Sequence, residues 1–221
     1  LTPDVSYWSS NAALHEDFPS GLSGSRLVET ASGAGAGAAA VAATADRHGV
    51  VALSTGTTAA GYDGAATSPL SILFGGGQWI LEAVVRFPTL STGAQEYLAH
   101  AGFIDTIGGA QTDGAYFEYD RATAGDVWRA RTTSLGVSTT TAVSAIVANA
   151  WTRLDIVVND DATQVDFYVD GELVASHTTN IPSGVGRNTG AGLQIVKSVG
   201  ATARTLECDR LTYVCSFTSG R

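Results

Sequence analysis

Two pairs of carboxylates, Glu118 with Asp120 and Glu207 with Asp209, are spaced two residues apart, so on a strand each pair points to one face. Retaining glycoside hydrolysis uses two carboxyl groups about 5 to 5.5 Å apart, which makes each pair a formal candidate for acid and nucleophile. The competing role, a solvent-facing or turn-anchoring carboxylate, is the one the surrounding sequence favours. A serine or cysteine nucleophile needs a base within hydrogen-bond reach. His15, His48, His100 and His177 are scattered, however, and no Gly-x-Ser-x-Gly elbow occurs. Asn159, Asp160 and Asp161 are hard oxygen donors of the kind calcium takes, but they lie between two apolar runs, where a turn accounts for them. Cysteine spacing gives no zinc site. The sequence therefore predicts no catalytic residue, no metal and no cofactor.

Binding chemistry is better represented. Sugars dock through aromatic faces and planar hydrogen-bonding groups, and Tyr116, Glu118, Trp128, Arg129 and Arg131 fall on two candidate strands. These five form the candidate glycan-binding set. Trp128 and Trp151 carry a second reading as core anchors, because large aromatics dominate sandwich cores. Asp209 likewise has a second role open to it, holding a backbone amide or Arg204.

The elements that must position these residues are strands. Short apolar runs recur with turn signals between them: Val50 to Leu53, Ser71 to Phe74, Trp79 to Phe87 and Gly114 to Tyr119. Within the third, Leu81, Ala83, Val85 and Phe87 share one face while Glu82 and Arg86 share the other, and Pro88 ends the run. Leu154, Ile156 and Val158 alternate with polar residues up to the turn-rich segment Asn159 to Thr163, and Val165, Phe167 and Val169 alternate after it. Asp170-Gly171 then supplies the positive φ of a two-residue hairpin, and Leu173 to Ala175 returns. Val127 to Arg131, Val143 to Val147, Leu193 to Val196 and Leu206 to Val214 are further strand candidates, and no window sustains a helical period. An all-β, antiparallel two-sheet sandwich of the jelly-roll kind follows.

Composition agrees. Among 221 residues, 26 are Gly and only 15% are charged, while 44% are hydrophobic, enough for a large core. A formal net charge of -9 repels phosphate backbones and anionic lipid headgroups, which argues against nucleic-acid and membrane partners. No apolar stretch is long enough to cross a bilayer as a helix, and Leu1 to Ser10 lacks signal-peptide features. Starting at Leu1 with no Met anywhere, the chain is expected to derive from a longer precursor. On one strand, Cys208 and Cys215 stand roughly 23 Å apart, whereas a disulfide needs Cα atoms within about 7 Å. Free thiols, and assembly in a reducing cytoplasm, are expected.

Residues 1–45 read as an irregular arm followed by the Gly/Ala-rich segment Ser32 to Ala45, with the sandwich domain over 46–221. In the arm, Tyr7, Trp8, Leu14 and Phe18 lack a regular period, which makes them candidate partner-docking anchors. Deleting residues up to Glu29 is then expected to impair assembly and to leave the β-rich spectrum largely unchanged.

The segments W-T-R-L-D-I-V-V-N (Trp151 to Asn159), V-D-F-Y-V-D-G-E-L-V-A (Val165 to Ala175) and T-L-E-C-D-R-L (Thr205 to Leu211) resemble laminin-G-like domains of the concanavalin A-like superfamily. Upstream, G-V-V-A-L-S-T-G-T-T (Gly49 to Thr58), G-F-I-D-T (Gly102 to Thr106) and D-G-A-Y-F-E-Y (Asp113 to Tyr119) are similar to versions found in tailed-bacteriophage structural proteins. The Glu-x-Asp-x-x-Glu pattern of related jelly-roll glycosidases does not occur in the sequence. The resemblance implies a non-catalytic attachment protein on a virion surface, such as a capsid decoration or fibre component. Such a protein assembles in the host cytoplasm with other virion proteins, as a homo-oligomer. Two alternatives stand beside it: a lectin-like module for bacterial surface polysaccharide, which would make a cell-surface glycan the partner, and a jelly-roll glycoside hydrolase or lyase.

Overall fold

Residues that alternate apolar and polar along the sequence lie on opposite faces of a strand, so two such strands side by side make a sheet with one oily face. A computed structural model, which describes residues 11–68 and 70–218, shows this arrangement. In chain order the strands begin with β1 (Asn11–Glu16), β2 (Pro19–Leu22), β3 (Leu27–Ser32), β4 (Ala36–Val41), β5 (Val50–Thr55), β6 (Tyr62–Thr67), β7 (Gly77–Arg86) and β8 (Tyr97–Ile104). They continue with β9 (Gly114–Asp120), β10 (Val127–Ser134), β11 (Val137–Ala145), β12 (Thr152–Val158), β13 (Val165–Val169), β14 (Glu172–His177), β15 (Gly190–Lys197) and β16 (Thr205–Phe217). A four-residue helix, α1 (Arg121–Ala124), links β9 to β10.

The strands form two antiparallel sheets. One has eight strands in the order β14-β13-β12-β7-β16-β5-β4, with β1 pairing the far half of β16; the other has seven, in the order β11-β10-β9-β8-β15-β6-β3. Their facing sides make the core. Trp79, Leu81, Ala83 and Val85 of β7, Leu154, Ile156 and Val158 of β12, and Phe167 of β13 meet Tyr97, Ala99, Ala101 and Phe103 of β8 and Phe117 of β9. Phe117 and Phe167 bridge the two layers edge to face, with centroids 5.3 Å apart. Fully burying one such side chain contributes about 1.5 to 3 kcal/mol, so this seam outweighs any surface feature.

The expected hairpin is present: Asp170 and Gly171 have φ of 51° and 90°, and Val169 pairs with Glu172 across the turn. The segment before β13 is also a turn, held by Asn159 Oδ1, which accepts from the Thr163 and Gln164 amides at 2.9 Å each.

The amino-terminal region departs from expectation. Leu14 and Phe18, expected on a docking arm, are 3% and 1% exposed within the core, and Leu14 lies opposite Tyr213 in the β1–β16 ladder. Tyr7 and Trp8 lie outside the described residues. The irregular spacing of the anchors has a physical cause: β1 ends at a reversal around Phe18, so no single period spans them. Gly49 permits that reversal, since a Cβ there would sit 2.2 Å from the Asp17 carbonyl. The Gly/Ala-rich run ends β3 and supplies edge strand β4, where Ala38 pairs with Leu53.

Candidate functional site

The outward side of the seven-stranded sheet holds most of the candidate glycan-binding residues. Register places Gln194 of β15, His100 of β8, Glu118 of β9 and Arg129 of β10 in one row across four adjacent strands. Arg131 and Tyr116 form the next row, with the guanidinium 5.8 Å from the centre of the tyrosine ring. Trp128 alternates to the other side of β10 and packs in the core, its ring 5.4 Å from that of Phe87. Four of the five expected residues are thus gathered on one face, and Trp128 takes its core-anchor role.

At the centre of the row is Glu118. Its Oε2 accepts from His100 Nε2 at 3.1 Å and from Arg131 Nη1 at 2.7 Å, while Oε1 takes Arg129 Nη2. Burial alone would raise this carboxyl, but the His100 hydrogen bond and the two guanidiniums hold it down at about 2. His100 Nδ1 faces the amide nitrogens of Gln111 at 3.2 Å and Gln194 at 2.6 Å. Amide N–H groups only donate, so Nδ1 is the acceptor and the imidazole proton sits on Nε2, directed at Glu118. Burial lowers the pKa of His100 against the upward pull of Glu118, and Arg131 and Arg129 add to the lowering, which favours the neutral ring.

A strap over 105–113 covers the Gln194 and His100 end of this row. Gln111 Oε1 accepts from the Asp105 and Thr106 amides at 2.9 and 3.1 Å, and the Gly108 amide donates to Gln194 Oε1 at 2.7 Å. The Asp105 carboxylate takes the Thr112 and Asp113 amides at 3.1 and 3.0 Å, fixing the far end of the strap. Gly108 is required at the crest: its φ is +86°, and a Cβ would stand 2.7 Å from the Tyr62 ring. Tyr116, Glu118 and Arg129 are 1%, 5% and 9% exposed, which removes them from direct contact with a ligand in this conformation. Arg131 keeps partial exposure at the edge of the strap.

The carboxylate pairs considered for catalysis are distributed among cations. Arg129 reaches both Glu118 and Asp120, the latter at 3.4 Å. On the other sheet, Arg86 Nε donates to Glu207 at 2.7 Å and Arg47 Nη1 to Asp209 at 2.5 Å, so Arg47 rather than Arg204 is the partner of Asp209. Arg86 and Arg47 lie with their carbon centres 4.6 and 4.7 Å from the centre of the Trp151 ring, which is half-buried and outside the core. Sequence reasoning missed His100, Gln111 and Gln194 as members of the buried row. The alternation of β8 put His100 opposite the core, but nothing local indicated that a loop would cover it. Cys208 and Cys215 are both buried and not joined by a disulfide, and burial raises the Cys208 thiol strongly.

Residues 46–209 match the family model described as SO2946-like, C-terminal domain. The chain belongs to this family. The SO2946-like fold is shared in full with a protein of unknown function, SO2946 from Shewanella oneidensis MR-1, at 15% identity and a TM-score of 0.70, covering 100% of this chain and 92% of that one. An endo-1,3-beta-glucanase from Streptomyces sioyaensis is similar at 11% identity, TM-score 0.62, covering 94% of this chain and 97% of that chain. The carbohydrate recognition domain of Emp46p, in its potassium-bound form, is similar at 8% identity, TM-score 0.56, with 86% and 88% covered. At these identities the likeness is one of fold: an antiparallel two-sheet sandwich of the jelly-roll kind. A search of the curated proteins found no match.

Proposed function

We propose that this SO2946-like domain is a non-catalytic recognition module that attaches to carbohydrate. The observation that carries the non-catalytic half is the state of Glu118. A general acid must cycle a proton near neutral pH, yet this carboxyl is held at about 2 by His100, Arg131 and Arg129 and is only 5% exposed. The carbohydrate half draws support from fold likeness to a carbohydrate recognition domain and a glucanase, an associational warrant. A glycan array on the purified chain, followed by a reducing-end assay on each captured glycan, tests both halves. Capture without release of reducing ends is expected. Release of reducing ends would overturn the non-catalytic role, and capture of no glycan would overturn the carbohydrate role.

A virion setting is a second reading, in which the same module decorates a phage particle as a homo-oligomer. The buried Cys208 thiol favours it, since a buried cysteine outside any disulfide suits assembly in a reducing cytoplasm. Its test is association of the purified chain with particles that lack it; failure to bind any virion component counts against it.

A further inference from the structure

The face opposite the strapped row carries a hollow that the sequence did not single out. It lies on the outer side of the eight-stranded sheet, has a volume of about 170 Å³, and is lined by Val41, Ala42, Thr44, Asp46, Arg47, Val50, Arg86 and Trp151. The turn between β4 and β5 makes one wall, bearing Thr44, Asp46 and Arg47; Trp151, just before β12, makes another. Resting on the carbohydrate recognition proposed above, we infer that this hollow is the glycan site and that it takes a single neutral pyranose unit.

Three features support the assignment. First, the wall is preorganised. Each guanidinium beside the Trp151 ring is held from behind by its own carboxylate, Arg86 by Glu207 and Arg47 by Asp209, so ring and cations are fixed before any ligand arrives. Second, donors remain to be met. A guanidinium carries five N–H groups, and Arg47 gives Nη1 to Asp209 while Arg86 gives Nε and Nη2 to Glu207, so the pair has further N–H groups to offer a ligand oxygen. Third, the lining is amphipathic in the way a sugar ring is. Val41, Ala42, Val50 and the indole offer apolar surface, while Asp46, Thr44 and the two arginines offer an acceptor and donors for adjacent hydroxyls.

Charge selects a neutral sugar over a uronate or a sulfated one. Arg47 and Arg86 are already neutralised by Asp209 and Glu207, and exposed Asp46 adds a further negative group, its Oδ1 held by the Thr44 hydroxyl at 2.7 Å. The chain as a whole carries -9, so an anionic polysaccharide meets repulsion at long range as well as at the rim. Size limits the occupant: drug-sized ligands fill roughly 300 to 1,000 Å³, and this hollow, at about 170 Å³, suits one ring rather than an oligosaccharide chain.

The test uses the full chain and follows the Trp151 indole N–H resonance, assigned by its loss in Trp151→Phe. Methyl glycosides of glucose, galactose and mannose are titrated in parallel with glucuronic and galacturonic acids. At least one neutral glycoside is expected to shift the resonance saturably, and the acids to bind at least tenfold more weakly. Ala42→Phe fills the hollow from an exposed, non-strand position, so it leaves the fold intact; it is expected to abolish the shift, and Asp46→Asn to weaken it. Glycans captured on the array with equal strength by wild type and Ala42→Phe would overturn the hollow as the site while leaving carbohydrate recognition standing. Preference for the uronic acids would overturn the neutral class. No response from any glycan on array or in titration would overturn the site together with the recognition role beneath it.

Discussion

Two buried acids of this chain are pushed in opposite directions, and each leaves its own mark on stability. Glu118, ordinarily at 4.5, is held at about 2 in the folded chain, so its charged form is favoured by folding. That stabilisation is fully present above about 4.5 and is lost as pH falls toward 2. Glu118→Gln leaves Arg129 with Asp120 as its remaining anion and Arg131 with none of its own, and removing one partner of a buried ion pair costs about 3 kcal/mol. Urea denaturation at pH 7 is expected to show that loss, and the gap between wild type and Glu118→Gln is expected to narrow as the pH is lowered below 4. Asp63 behaves inversely. It is wholly buried, with Oδ1 unpartnered and Oδ2 accepting from the Ser54 amide at 2.9 Å, and burial pushes it up from 3.8 to about 7. Folding therefore favours its protonated form, and its charge destabilises the protein as pH rises from about 4 through 7. Asp63→Asn is expected to be more stable than wild type at pH 8 and close to it at pH 4 in the same urea assay. Equal midpoints at pH 8 would show that the carboxyl finds a partner in solution.

Among the elements, the strap over 105–113 has most to reveal, because its seal combines a few polar contacts with a single apolar anchor, Ile107 against Ala66, Ile104 and Tyr116. Gln111→Ala removes the acceptor for the Asp105 and Thr106 amides and one of the two donors to His100. Leaving such buried groups unmet costs about 1 to 3 kcal/mol. Hydrogen exchange at Gly108 and Gly109 is expected to accelerate while the ladders of β8 and β9 keep their protection; uniform acceleration would mean that strap and sheet open together. The strap also marks where the sequence stopped being readable. Strands β7, β12 and β13 were legible because Leu81, Ala83 and Val85, or Leu154, Ile156 and Val158, alternate without interruption, and the hairpin was legible because Asp170-Gly171 encodes its own backbone. Alternation likewise brought Tyr116, Glu118, Arg129 and Arg131 to one face. It carries no information on whether a loop 105–113 will fold over that face, since the loop is held by Gln194, distant in sequence, and by the clearance between Gly108 and Tyr62. The Trp151 hollow was hidden for the same reason: Arg47, Arg86 and Trp151 meet only after β5, β7, β12 and β16 have assembled.

For the molecule as a whole, the amino-terminal strands decide whether the sandwich has a closed or an open flank. β1 covers the second half of β16, from Asn11 opposite Ser216 to Glu16 opposite Leu211, and brings Leu14 into the core, with Phe18 just beyond it. Were this segment an independent docking arm, its removal would leave the β-rich fold unchanged. The ladder predicts otherwise. Deleting residues through Leu22 strips Leu14 and Phe18 from the core, at roughly 1.5 to 3 kcal/mol for each burial, and exposes the backbone edge of β16 over that stretch, a template for pairing with another chain. Stabilities of small proteins total about 5 to 15 kcal/mol, so a loss on this scale is a large part of the whole. The truncated chain is expected to melt at least 10 °C lower and to aggregate on heating, read by circular dichroism together with light scattering. A truncated chain with an unchanged melting temperature and no aggregation would mean that β16 is held by β7 and β5 alone, and would return the segment to the role of an arm.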